Sequence, residues 1–109
     1  MNNLDDLVYT NKLLDTYGSL LTESQYHIMD LYYRFNLSIS EIAEDKGVSR
    51  AAVNDTLKKS LKILHNYEEK LHNIKRRETV GHIIDKIEHE QDENKRIEFI
   101  ENLKKEYLG

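Results

Sequence analysis

Ser49, Arg50, Ala51, Asn54, Lys58, Lys59 and Lys62 are the residues whose types and spacing point to a definite chemistry in this chain of 109 residues. A guanidinium at the start of a helix, with ammonium groups two and three turns further on, suits phosphate oxygens. The Asn54 amide can offer a donor and an acceptor to an adenine edge. Ala51 can add only a methyl contact, and Asp55 in their midst repels phosphate unless it accepts from a cytosine amine. Base-reading equipment is therefore thin, and weak or loosely specific binding of DNA or RNA is the expectation. The alternative for Lys58, Lys59 and Lys62 is a plain solvated helix face.

Other reactive side chains form no comparable set. His65 and His72, like His82 and His89, are spaced seven apart. On a helix that is about 10 Å, too far for one metal whose nitrogen ligands sit about 2 Å away. His27 stands alone, and all five histidines read as surface residues. The chain has no cysteine, which removes disulfides and thiolate zinc sites. A phosphate-binding G-x-x-x-x-G-K-[ST] loop is absent, and no serine, histidine and carboxylate can be nominated as a triad. Tyr17, Tyr26, Tyr32, Tyr33 and Tyr67 read as amphipathic residues at the core edge. Glu88, Glu90, Asp92 and Glu93 read as a solvated turn. No catalytic residue, metal site or cofactor is expected; the chain reads as a binder and not as an enzyme.

The net charge of −4 hides a segregation. Residues 1–48 sum to −5, residues 49–77 to +5 and residues 78–109 to −4. A basic island between acidic flanks is the footprint that phosphate binding requires. Charged residues make up 33% of the chain and hydrophobic ones 39%, so much of it must be helix surface or lie against a partner. No stretch approaches the roughly 20 apolar residues of a membrane span. The start, Met1-Asn2-Asn3-Leu4-Asp5-Asp6, lacks the layout of a signal peptide, which makes a cytoplasmic protein the expectation. The N-x-S/T sequons at Asn36 and Asn54 are then chance matches.

Several helices must position these groups. With no proline and four glycines, helices can run long. Leu4, Leu7, Val8, Leu14 and Tyr17 predict a first helix over 4–17, stopped by Gly18. Thr22 followed by Gln25 is a capping box that opens a second helix near residue 23. Its apolar residues Tyr26, Ile28, Met29, Leu31, Tyr32 and Tyr33 cover more than one stripe, which predicts contact from several sides. Residues 34–37 read as a connector. Ser38 and Glu41 form another capping box, and Gly47 ends the helix they open. Ser49 then caps a fourth helix. Val53, Leu57, Ser60, Leu64, Tyr67, Leu71 and Ile74 form a heptad seam on it, with no obvious end before about residue 76. Val80, Ile84 and Ile87 mark one further amphipathic helix. Ile97, Ile100, Leu103 and Tyr107 mark another, after a turn at 91–94.

Residues 38–64 thus read as a helix-turn-helix. Ile39 and Ile42 anchor the first helix, Ala43 lets the two cross closely, Gly47 makes the turn and Val48 plugs the space between them. Val53 and Leu57 anchor the second, whose N-terminal part can meet a groove. The competing reading is a plain helical hairpin.

Leu21-Thr22, Gln25, Leu31-Tyr32-Tyr33, Leu37-Ser38, Glu41-Ile42-Ala43-Glu44, Gly47-Val48-Ser49-Arg50, Ala52-Val53 and Asp55 together resemble the YlxM family of small bacterial helix-turn-helix proteins. The resemblance covers about residues 13–71. It implies a core similar to region 4 of RNA polymerase sigma factors, and an association with the signal recognition particle pathway drawn from the family's gene neighbourhood. At this length the chain is not expected to be a sigma factor. Sigma region 4 has polar or charged readers where this chain has Ala51, Ala52, Asn54 and Asp55, which weakens the case for promoter-type readout.

The resulting expectation is an all-α fold: a sigma-region-4-like helix-turn-helix bundle over 1–66 and a helical C-terminal extension over 67–109, continuous with the fourth helix. The expected function is nucleic-acid binding in a regulatory role. The alternative is a protein-interaction module that keeps the fold and binds signal recognition particle components or other proteins without base readout. The extension either folds back on residues 4–17 or pairs with a second copy, and a homodimer is the favoured expectation.

Overall fold

The computed structural model describes residues 4–109, Asp5 through its backbone alone. Six α-helices and one short 3₁₀ turn make up the described chain: α1 Leu4–Tyr17, the turn Gly18–Leu20, α2 Glu23–Tyr33, α3 Ile39–Lys46, α4 Arg50–Leu71, α5 Asn73–His89 and α6 Glu93–Leu108. The fold is all-α, as the periodicity predicts. Two compact units divide at 71/72.

The first unit holds α1 to α4. Thr22 and Gln25 cap α2 reciprocally, Gln25 N donating to Thr22 Oγ1 at 3.2 Å and Thr22 N to Gln25 Oε1 at 3.0 Å. That closes two of the amide donors a helix start leaves open. α2 touches α1, α3 and α4, which accounts for its broad apolar coverage. Leu13, Leu14, Tyr17, Leu21, Ile28, Met29, Ile42, Val53, Leu57 and Leu64 are the large side chains of this unit's core.

Three expectations need correction. In α1 the buried face runs through Thr10, Leu13, Leu14 and Tyr17, while Leu4, Leu7 and Val8 are exposed. Leu4 and Leu7 line an open groove of about 750 Å³ with Tyr32, Tyr33 and Leu37. Val48 does not plug the helix-turn-helix; it is 46% exposed. Its amide closes the turn on the Ala43 carbonyl at 3.0 Å, and buried Ile42, Ala43, Val53 and Leu57 supply the packing.

The third correction concerns the seam of α4. Val53, Leu57, Ser60 and Leu64 are buried as expected, but the next buried position is Glu68, and Leu71 is 45% exposed. A straight helix of 3.6 residues per turn drifts off a strict seven-residue repeat, so the stripe moves from 67 to 68. α4 stops at Leu71 instead of running to 76: His72 takes a left-handed conformation at φ 53° and α5 starts at Asn73. Histidine is among the non-glycine residues enriched in that region.

The second unit is the α5–α6 hairpin. Asp92 caps α6, its side chain accepting from the amides of Asn94 and Lys95. No side chain of α6 is buried, and Ile84, Ile97, Ile100, Tyr107 and Leu108 are exposed. Two amphipathic helices alone offer each other one stripe and leave the rest wet.

Candidate nucleic-acid interface

The turn after α3 sets the interface. Ser38 caps α3 by accepting from Glu41 N at 3.1 Å, and the Glu41 carboxylate returns to the Ser38 amide at 2.9 Å. That backbone hydrogen bond, seconded by the Ser38 side chain, holds the Glu41 carboxyl below its ordinary pKa. Gly47 sits at φ 67°, ψ 34°, a left-handed C-terminal residue that would strain any side chain. Ser49 then opens α4: its Oγ accepts from Ala52 N at 3.0 Å, and its carbonyl accepts from Val53 N at 3.2 Å.

With Val53, Leu57, Ser60 and Leu64 turned into the core, α4 has one side left for solvent. Ser49, Arg50, Ala51, Asn54, Lys58, Lys59 and Lys62 are all exposed. By helical phase, Ala51, Asp55, Lys58 and Lys62 stand opposite the buried stripe, and Arg50 and Asn54 flank it.

Local pairing divides these cations. Lys59 Nζ lies 3.1 Å from Asp55 Oδ2, one turn away on the same helix. Asp55 thus offsets one lysine of the set, a pairing the sequence reading did not draw. The i,i+4 spacing of an acid before a lysine was the available signal. The Ser49 hydroxyl is engaged in its cap and is better described as positioning the helix start than as a free donor. Arg34 belongs elsewhere: its guanidinium meets Asp15, Asp30 at 3.4 Å and the Tyr26 hydroxyl at 2.9 Å. The exposed carboxylates of Glu44 and Asp45 on α3 border the turn and limit how far a polyanion can be approached on that side.

The five histidines are exposed, and His65 lies against the Tyr9 ring at a centroid distance of 5.8 Å. Among the described residues no group of three or more histidines or carboxylates is placed to hold a metal, and no helix is long and apolar enough to cross a membrane.

Residues 4–105 match the model of the family described as "Putative helix-turn-helix protein, YlxM / p13 like". The chain belongs to this family. It is 42% identical over 93 residues to a UPF0122 protein of Clostridium perfringens, covering 85% of this chain and 81% of that one. A UPF0122 protein of Clostridium kluyveri is 37% identical over 102 residues, covering 92% and 82%. One from Clostridium acetobutylicum is 48% identical over 68 residues, covering 62% of this chain. The last match spans only 59% of that relative's length. The family description agrees with the motif found here: in this YlxM/p13-like chain α3 and α4 are the two helices of the helix-turn-helix, and α5 and α6 lie outside it.

Proposed function

We propose that this chain is a nucleic-acid-binding regulatory protein that acts by docking the N-terminal half of α4 on DNA or RNA, without catalysing a reaction. The observation that supports it most is the exposure of Lys58 and Lys62 opposite the buried stripe of α4, and of Arg50 and Asn54 beside it. Phosphate contacts dominate this reading. Arg50, Lys58 and Lys62 hold the backbone, and Asn54 is the one side chain suited to a base edge. A cytoplasmic place in the signal recognition particle pathway is part of this proposal; the pathway is what the family resemblance implies.

The test is a fluorescence-anisotropy titration with duplex DNA and with structured RNA at several salt concentrations. Affinity should fall steeply with salt, by counterion release. Arg50→Ala and Lys58→Ala should each weaken binding across sequences and reduce the salt slope by about one. No binding to either polymer at low salt would remove the proposal.

One pair of observations favours the second reading, a protein-interaction module. Asp55 neutralises Lys59, and Ala51 and Ala52 leave the outer face of α4 with few readers. On that reading, Arg50→Ala leaves partner capture in a pull-down unchanged, while deletion of residues 75–109 abolishes it.

A further inference from the structure

The α5–α6 hairpin carries a self-complementary stripe. Arg77, Gly81, Ile84 and Glu88 follow one another on α5 at spacings of four, three and four, and all are exposed. Helical phase puts them in one row beside the face that meets α6. The row is symmetric about the 82–83 peptide bond. An identical helix laid antiparallel along it sets Arg77 against Glu88 and Gly81 against Ile84, twice over.

Gly81 sharpens the point. It lies inside a helix of 17 residues, where glycine is weaker than alanine. Nothing lies within 4 Å of where its Cβ would be, so no neighbour in the described chain needs the gap. A second helix carrying an isoleucine at the matching position would use it.

Charge runs the same way. Lys75, Arg76 and Arg77 outnumber Glu78 at the start of α5, Asp85 and Glu88 outnumber Lys86 near its end, and Glu90, Asp92 and Glu93 follow at the turn. Antiparallel pairing sets plus against minus; parallel pairing sets like against like. The apolar residues needed to fill such a contact are beside the row. Tyr107 of α6 and Arg77 line one pocket of about 230 Å³ with Asn73, Arg76 and Val80. By phase, Ile97 and Ile100 continue the Tyr107 side of α6, and both are exposed.

We propose that two copies of this chain associate through α5 in antiparallel register about a two-fold axis at residues 82–83, with α6 flanking the contact. The interface is isologous, each copy offering the same surface. It rests on the hairpin alone and is independent of what α4 binds.

Sedimentation equilibrium of the full chain should show a dimer in the micromolar range. Arg77→Glu and Glu88→Arg should each weaken association about tenfold, since each makes two like-charge pairs per dimer. The double variant Arg77→Glu/Glu88→Arg should restore it, because the pairs re-form with signs exchanged. Helical content by circular dichroism checks that all three fold. Register has its own readout, since the chain has no native cysteine. Positions 77 and 88 are about 16 Å apart along one helix, beyond the roughly 7 Å Cα separation a disulfide allows. Arg77→Cys/Glu88→Cys should therefore oxidise to a covalent dimer, much faster than either single variant. A wild-type monomer at the highest reachable concentration overturns the proposal. So does a double reversal no better than the singles, or crosslinking equally fast with Arg77→Cys alone.

Discussion

At the scale of single residues, the buried polar groups of the core differ in how they are satisfied. Glu68 is 8% exposed and accepts a 2.6 Å hydrogen bond from the hydroxyl of Tyr17, a residue 2% exposed. This bond joins α1 to α4 across the first unit, and Tyr17 also stacks on Tyr67 at 5.9 Å. Removing the hydroxyl withdraws a partner from a buried carboxylate, which costs about 1–3 kcal/mol. Tyr17→Phe should show that loss in urea denaturation, with an unchanged m-value. Ser60 behaves oppositely. It is fully buried, and its Oγ has no hydrogen-bond partner among the described residues. Ser60→Ala should be neutral or stabilising by up to about 1 kcal/mol, since the alanine leaves no polar atom to desolvate. A loss of stability in the same assay would refute this reading of Ser60.

At the scale of elements, the caps are the part of the fold most legible in the sequence. Thr22/Gln25 and Ser38/Glu41 form the boxes their spacing predicts, and Gly47 adopts the left-handed turn expected of it. These are local, so a few residues determine them. What periodicity could not show is which turns of an amphipathic helix are covered by a neighbour. That depends on where other helices end, and it is why Leu4, Leu7 and Val8 match an apolar face yet lie in solvent. Nor does composition mark His72 as a helix break, because no proline or glycine stands there. That Arg50, Asn54, Lys58 and Lys62 are exposed on α4 was legible in the sequence, because the inward stripe fixes the outward side. The Asp55–Lys59 pairing is a rotamer outcome that spacing permits but does not require. Ser38→Ala should cost about 1 kcal/mol by removing the α3 cap. For Glu41, the folded carboxyl titrates below its unfolded value. Its contribution is therefore present above the unfolded pKa and lost as pH falls through the folded one. In Glu41→Gln that acid-side fall in stability should flatten, as followed by thermal melts across pH 3–6.

On the scale of the whole molecule, stability is unevenly shared. Every residue of the hydrophobic core except Ile74 precedes the break at His72. Residues 1–71 should therefore fold by themselves, with cooperative melting and an intact α4 surface. A truncated chain ending at Leu71 that binds nucleic acid like the full chain, but no longer self-associates, would assign the two properties to separate units. One that fails to melt cooperatively would show that the core needs the hairpin.

The bare flank of α6 has a consequence for how the molecule wears. A helix with no buried side chain opens often, because little is lost each time it unwinds. Its amide protons between 93 and 108 should exchange with deuterated solvent far sooner than those of Val53, Leu57 and Leu64. A trace of protease should trim the chain from that end, leaving α4 and the core it packs into as the last part to survive.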